Sequence, residues 1–474
     1  MSVASFLDRE RSVAPAGYSR WLVPPAALAI HLSIGQVYAL SVFKTPLVER
    51  FDTSETAIAI VFSIAIVMLG LSAAFGGTWM ERNGPRKAMA ASALFFVTGL
   101  LVGGLGIATE QLWLLYLGYG VIGGIGLGLG YISPVSTLIK WFPDRPGLAT
   151  GLAIMGFGGG AFIASNLSNE LLQAYTSVPA DGVPSDAVAP AFFTLALIYA
   201  AFMTFGVLTV RVPPAGWKPA GFVPRKDTGG LRTSSHVSAA QSIKTPQFWL
   251  LWTILFCNVT AGIGILEQAA PMIRDFFPDD VSPAAAAGFV GLLSLANMSG
   301  RIIWSSTSDV IGRKPTYMLY LGVGAVAFFL LATAGSSSVF LFVLLSAVIL
   351  SFYGGGFATI PAYLKDLFGT FQVGAIHGRL LTAWSAAGVA GPLIVNVITD
   401  SQRDGGATGA AAYRPSLLVM VGLLVIGFIA NLLVRRVADK HHASDDLLGT
   451  YPGVTSQQTT GSEKTAPSAT GGTR

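Results

Sequence analysis

The chain has 474 residues, of which 52% are hydrophobic and only 11% charged, and its mean hydropathy is +0.63. A soluble domain carries about 25% charged residues, so most of this surface cannot face water and an ordinary soluble domain is excluded. The net charge of +5 does not call for nucleic acid, because basic residues gather in the cytoplasmic loops of membrane proteins.

Residues 1–20 read as a cytoplasmic N-terminal arm, with no short apolar stretch and cleavage site of a removable signal. A membrane span needs about 20 mostly apolar residues. Runs that meet this lie near 21–45, 56–79, 87–108, 112–140, 147–172 and 190–211, then near 245–272, 283–308, 315–334, 339–363, 373–399 and 415–434. The expectation is an all-α polytopic membrane protein of twelve helices in two pseudo-symmetric six-helix bundles, 21–211 and 245–437. Residues 212–244 are rich in Pro, Gly, Ser and basic side chains and read as a cytoplasmic linker. Residues 438–474 lack apolar periodicity and read as a disordered cytoplasmic tail. Cys257 is the only cysteine, so no internal disulfide framework is possible.

Of the 29 Lys and Arg residues, Lys44, Arg50, Arg274, Arg403 and Arg414 fall in odd-numbered loops and Arg301 in a span. The others lie in the two terminal segments and the even-numbered loops. That asymmetry places both termini in the cytoplasm, in a plasma membrane of the bacterial inner-membrane kind. Lys44, at the end of the first span, reads as snorkelling to the interface.

"GTWMERNGPRK" (77–87) and "SSTSDVIGRK" (305–314) join the second and third helices of each half. The pair reads as an internal repeat, as in carriers built from two six-helix halves. Gly84 and Gly312 supply the backbone freedom of a short reversal. Glu81 and Asp309 end one helix, and Arg82, Arg86, Arg313 and Lys314 open the next. Such contacts are able to latch one side of the protein shut in one conformation and release it in another. "GYGVIGGIGLGLG" and "GFGGG" lie inside spans with no strand before them, so close packing of small helix faces accounts for them better than a nucleotide loop.

Arg301 precedes Asp309 by eight residues, about 12 Å along a helix, which puts it inside the hydrocarbon. Insertion of an arginine near mid-membrane costs about 2.5–3.5 kcal/mol on translocon scales. Ser294, Asn297, Arg301, Ser305 and Ser308 share one helical face, away from most of Leu292, Leu295, Ile302 and Ile303. Glu170, Glu267 and Asp366 fall near span ends, leaving no mid-depth carboxylate to pair with the arginine. A guanidinium presents a fork of donors matched to a carboxylate, and Asn297, one turn away, offers an amide donor as well. His31, read as the only histidine in a span, is a candidate proton carrier or a packing residue hydrogen-bonded to a neighbour.

"GxxxERxGxRK" resembles the loop signature of the major facilitator superfamily, with Glu81 where Asp is usual and, in the second copy, Val310 at the usual basic position. "RWLVPPAALAIHLSIGQVYALSVFKTPL", "KWFPDRPGLATG", "IKTPQFWLLW" and "LANMSGRIIWSSTSDVIGR" resemble the oxalate/formate antiporter family and related bacterial monocarboxylate transporters, over Trp21 to Val437. The resemblance implies that Arg301 grips the substrate carboxylate and that Tyr38, Tyr131 and Tyr353 line the cavity. Two further family tyrosine positions are Phe157 and Phe357. Trp384 stands where oxalate exchangers carry a lysine.

A dianion facing one guanidinium leaves an unpaired charge in a low-dielectric site. The expected cargo is therefore a monocarboxylate of the lactate, pyruvate, formate or acetate class, moved by proton symport or exchange with a counter-anion. Alternatives are an oxalate/formate-type dicarboxylate exchanger and a transport-fold carboxylate sensor. A drug exporter would more naturally carry a mid-membrane carboxylate. A chain acting as a monomer among lipids, without cofactor or metal, completes the expectation.

Overall fold

The computed structural model describes residues 3–444 except 180–181, 223–230, 232 and 234, together with 447–448. The part of the tail from 449 onward, and residues 445–446, therefore lie outside the described residues. The long helices are, in chain order, α1 Arg20–Phe51, α2 Glu55–Asn83, α3 Pro85–Ala108, α4 Leu112–Trp141, α5 Pro146–Tyr175 and α6 Ser185–Thr209. The second set is α7 Pro246–Phe276, α8 Pro283–Ile311, α9 Arg313–Ser337, α10 Val339–Phe368, α11 Val373–Asp404 and α12 Ala410–Leu433. A long helix lies at each of the twelve expected spans, eleven of them long and apolar enough among the described residues to cross a membrane, and the chain is an integral membrane protein.

Local chemistry sets where these helices begin. Ser54, Thr245 and Ser282 each accept a backbone N–H from the first turn of α2, α7 and α8, the usual task of an N-cap hydroxyl. Pro85, Pro146, Pro246 and Pro283 open their helices, where a missing N–H costs nothing. Gly84 (φ 88°) and Gly312 (φ 93°) end α2 and α8 in backbone conformations that disfavour any side chain. Helices such as α5, of 30 residues, are about 45 Å long. They therefore reach beyond the roughly 30 Å hydrocarbon core, which is why their ends lie outside the apolar runs. Two stretches depart from α-helical geometry. α1 tightens to 3-10 geometry over Gly35–Phe43, and α4 widens to a π-helix over Tyr116–Gly123.

Within the halves, α3 packs on α6 and α9 on α12; between them, α2 meets α11 and α5 meets α8. Outward side chains are apolar, Phe75 being 82% exposed, as a lipid-facing surface requires. Inside, helices approach closely at small residues, within a half (α5 on α1) and between the halves (α11 on α2). A Cβ on Gly160 would meet Leu32 O at 2.3 Å, and one on Gly378 would meet Ala73 O at 2.1 Å.

The N-terminal arm, the linker and the residues after α12 lie on one face, called here the terminal face. The arm is not loose. Val13 pairs with Val212, and Arg86 donates to Phe6 O (2.9 Å), Arg11 O (3.2 Å) and Val210 O (3.2 Å). The described end of the linker binds the second half, with Val237 N donating to Phe368 O and Ala239 N to Gln372 Oε1. The start of the tail follows it, as Ala443 N donates to His236 O and Leu448 packs on Phe371.

Candidate functional site

The polar stripe of α8 faces inward. Asn297, Arg301, Ser305 and Ser308 are buried, whereas Leu292, Leu295 and Ile303 are exposed to the lipid side. Arg301 is only 1% exposed. Its Nε donates to Asn297 Oδ1 at 3.1 Å, and its Nη1 crosses to the other half to reach Ile154 O on α5 at 2.8 Å. Both partners are neutral, and among the described residues no carboxylate pairs with it. Nη2 has no protein acceptor among those residues.

The three carboxylates nearest to being rivals lie elsewhere. Glu170 and Glu267 are exposed, and Asp366 pairs with Arg313 at 3.2 Å. Asn297 also plays a different part from the amide donor expected of it, because its oxygen is given to Arg301. It orients the guanidinium.

Rings close around this cation. The Arg301 Cζ lies 5.9 Å from the Phe157 centroid and 5.8 Å from that of Phe357. Trp384 sits 5.5 Å from Phe157 and 4.8 Å from Phe357. Tyr131 lies 5.4 Å from both Phe157 and Trp384. Tyr38 and Tyr353 approach across the two halves, hydroxyl to hydroxyl at 3.3 Å. The five sequence-derived residues Arg301, Tyr38, Tyr131, Tyr353 and Trp384 thus share one cage. Gly158 gives the guanidinium a flat seat, since a Cβ there would stand 3.4 Å from its Cζ. Among the described residues the Tyr131 hydroxyl and the Trp384 indole N–H are buried without a hydrogen-bond partner. An apolar cleft of about 560 Å³ lies elsewhere, lined by Met68, Phe75, Trp79 and Leu129 among others, with no charged lining residue.

His31 stands outside the cage, with both ring nitrogens on backbone carbonyls of α4 and α5. Contrary to expectation, it is not the only histidine in a span. His377, in α11, is buried as well, 5.8 Å from the Tyr131 ring, with neither nitrogen partnered. His377 lies within the expected run 373–399, near its start and two residues before Arg379.

The repeated turns sit on the terminal face. Glu81 Oε1 accepts Ser136 Oγ and Gly374 N, each at 3.0 Å, and Oε2 pairs with Lys140 at 2.7 Å. Asp309 accepts Gly147 N and Leu148 N, each at 2.9 Å, and pairs with Arg313 at 2.6 Å. Each carboxylate therefore sits at the N-terminus of a helix of the opposite half, where helix-end N–H groups favour an anion. The basic residues divide. Arg313 joins this network, whereas Lys314 bonds Leu432 O and Val434 O at the end of α12. Arg86 bonds Val210 O after α6 in the same manner. Those two bind within their own halves. Arg82 is exposed.

Residues 26–305 and 269–450 match the Major Facilitator Superfamily. The chain belongs to this superfamily of transporters. The oxalate:formate antiporter of Oxalobacter formigenes is 26% identical over 379 residues, covering 79% of this chain and 83% of that protein. Apicoplast pyruvate carrier 1 of Toxoplasma gondii is 27% identical over 389 residues, covering 72% and 69%. Among solved structures, the facilitator-superfamily transporter FucP in its outward conformation superposes with a TM-score of 0.66 at 13% identity, over 88% of this chain and all of that one. That likeness concerns the fold, and no enzyme is among these relatives.

Proposed function

We propose that this facilitator moves a small monocarboxylate of the lactate, pyruvate, formate or acetate class by alternating access. The observation that carries the reading is Arg301, buried and held by neutral acceptors alone. A lone buried cation is costly, and a carboxylate on its free edge offsets that cost with charge-assisted hydrogen bonds. The cage offers one cation, with Trp384 where oxalate exchangers resembling this chain carry a lysine, so a single negative charge is balanced and a second is not. The similarity to an oxalate:formate antiporter and to a pyruvate carrier supports small organic anions as the class.

In this reading the terminal face is cytoplasmic, and Glu81 and Asp309 hold it shut while the cage serves the other side. Rocking of the halves then exposes Arg301 to the cytoplasm. The test is uptake of labelled lactate, pyruvate, formate, acetate and oxalate into proteoliposomes. Monocarboxylates should be taken up and compete with one another. Oxalate transported well, with lactate and pyruvate failing to compete, overturns the reading.

A further inference from the structure

We infer that His31 binds the coupling proton, so that one proton and one carboxylate cross together; this rests on Arg301 being the anion site. The His31 ring is fully buried in α1. Its Nδ1 lies 2.5 Å from Ala153 O, and its Nε2 lies 3.1 Å from Tyr131 O. A neutral imidazole has one N–H and one lone pair. Between two carbonyl oxygens, the neutral ring satisfies one and turns its lone pair on the other. The imidazolium donates to both. Among the described residues neither nitrogen of His31 has a donor opposite it. Both carbonyls are satisfied only by the protonated ring, but neutral acceptors alone leave a buried cation costly, so the proton needs a compensating charge nearby.

The same slot is wired to the anion site. Ala153 and Ile154 are consecutive in α5; the first carbonyl faces His31, and the second accepts Arg301 Nη1 at 2.8 Å. Two cations fixed to adjacent carbonyls repel, and burial makes that repulsion far stronger than in water. With the anion site empty, the arginine disfavours a proton on His31. A carboxylate on Arg301 cancels its charge and lets the proton bind. By linkage, the proton raises carboxylate affinity by the same factor.

Other groups around the ring do not supply this effect. From α4 comes Tyr131, its ring 5.4 Å away. From α11 comes His377, also against Tyr131, and α6 brings Gly206 against the neighbouring Ile30. Among the described residues no carboxylate pairs with His31.

The balance is simple. A proton passes from water to the imidazole lone pair, and a carboxylate joins the guanidinium. Both leave on the opposite side, His31 returns neutral, Arg301 stays charged, and no net charge moves.

The experiment uses the full chain in proteoliposomes with a trapped pH dye, with protein-free vesicles as the leak control and pyruvate as the probe. In wild type, pyruvate uptake should acidify the lumen by one proton per anion and rise by at least about tenfold from about pH 7.5 to about pH 5.5. His31→Gln should flatten that pH ratio to near one and reduce acidification to the leak, whatever its residual rate. His377→Gln should keep both. Acid-stimulated, proton-carrying uptake in His31→Gln, or pyruvate uptake without protons in wild type, overturns the inference.

If His31→Gln does not fold, histidine ring ¹⁵N spectra of the His377→Gln protein decide. A buried ring should pass from neutral to imidazolium on adding pyruvate, and no change overturns the inference. Arg301→Ala separates the two readings: pyruvate still bound by that variant sinks the anion site itself, independently of the histidine.

Discussion

The carboxylate of Asp309, at the end of α8, accepts the backbone N–H of Gly147 at the start of α5, across the boundary between the halves, at 2.9 Å. Glu81 repeats the arrangement on the other side of the pseudo-twofold, capping Gly374 at the start of α11. Neutralising either acid should loosen the terminal face. Capping and helix-end charge terms are each worth about 0.5–2 kcal/mol, so Asp309→Asn and Glu81→Gln should each shift the open population severalfold. Spin-label distances between the terminal ends of α5 and α8 check this. Unchanged distance distributions in both variants would show that the caps do not hold the face.

Arg301 and Asn297 give a second prediction. Lysine keeps the charge, but with donors on Asn297 Oδ1 and Ile154 O its ammonium has one left for the anion and no flat two-pronged edge. Losing one charged hydrogen bond costs about 1.5–3 kcal/mol, so Arg301→Lys should weaken pyruvate affinity by about 10- to 150-fold. Asn297→Asp should also weaken it, because an internal carboxylate 3.1 Å from Nε would occupy the cation. Binding isotherms on purified protein read both. Full affinity in Arg301→Lys would contradict gripping by the guanidinium fork.

Arg86 holds the N-terminal arm through two of its carbonyls, Phe6 O and Arg11 O, ties it to Val210 O after α6, and lies 4.5 Å over the Phe6 ring. Replacing it by methionine should free the arm. Arg9 and Arg11 would then become trypsin-sensitive, and thermal stability should fall by about 3 kcal/mol, the cost of leaving charged-group partners unpaired. Brief proteolysis followed by mass measurement detects the new cuts.

Close backbone packing at α1 and α5 predicts intolerance of a single methyl. Gly160→Ala would press its Cβ to within 2.3 Å of Leu32 O. Overpacking of this kind costs about 1–3 kcal/mol, visible as a lower melting temperature in detergent. Gly422→Ala, in α12 with open space around its Cβ position, serves as the silent control.

Much of this was readable along the chain. The twelve spans follow from apolar runs, because a bilayer demands length and hydropathy from each segment separately. The buried stripe through Asn297, Arg301 and Ser305 follows from helical periodicity, a local property. The partners of those residues do not. Ile154 O serves Arg301 and Ala153 O serves His31, yet every residue has a carbonyl, so side-chain identity carries no mark of which one will be used. Arg86 shows the same limit. It lies in a turn that suggested a gate, and three carbonyls from the arm and from beyond α6 claimed it instead.

Composition and periodicity alone therefore determined a membrane chain of two repeated halves with one misplaced cation, since lipid acts on each helix by itself. What lies against that cation was settled only when glycines let α5 approach α1 and α8. Burial without a carboxylate is a relation between helices far apart in the chain, and distance along a sequence does not encode it.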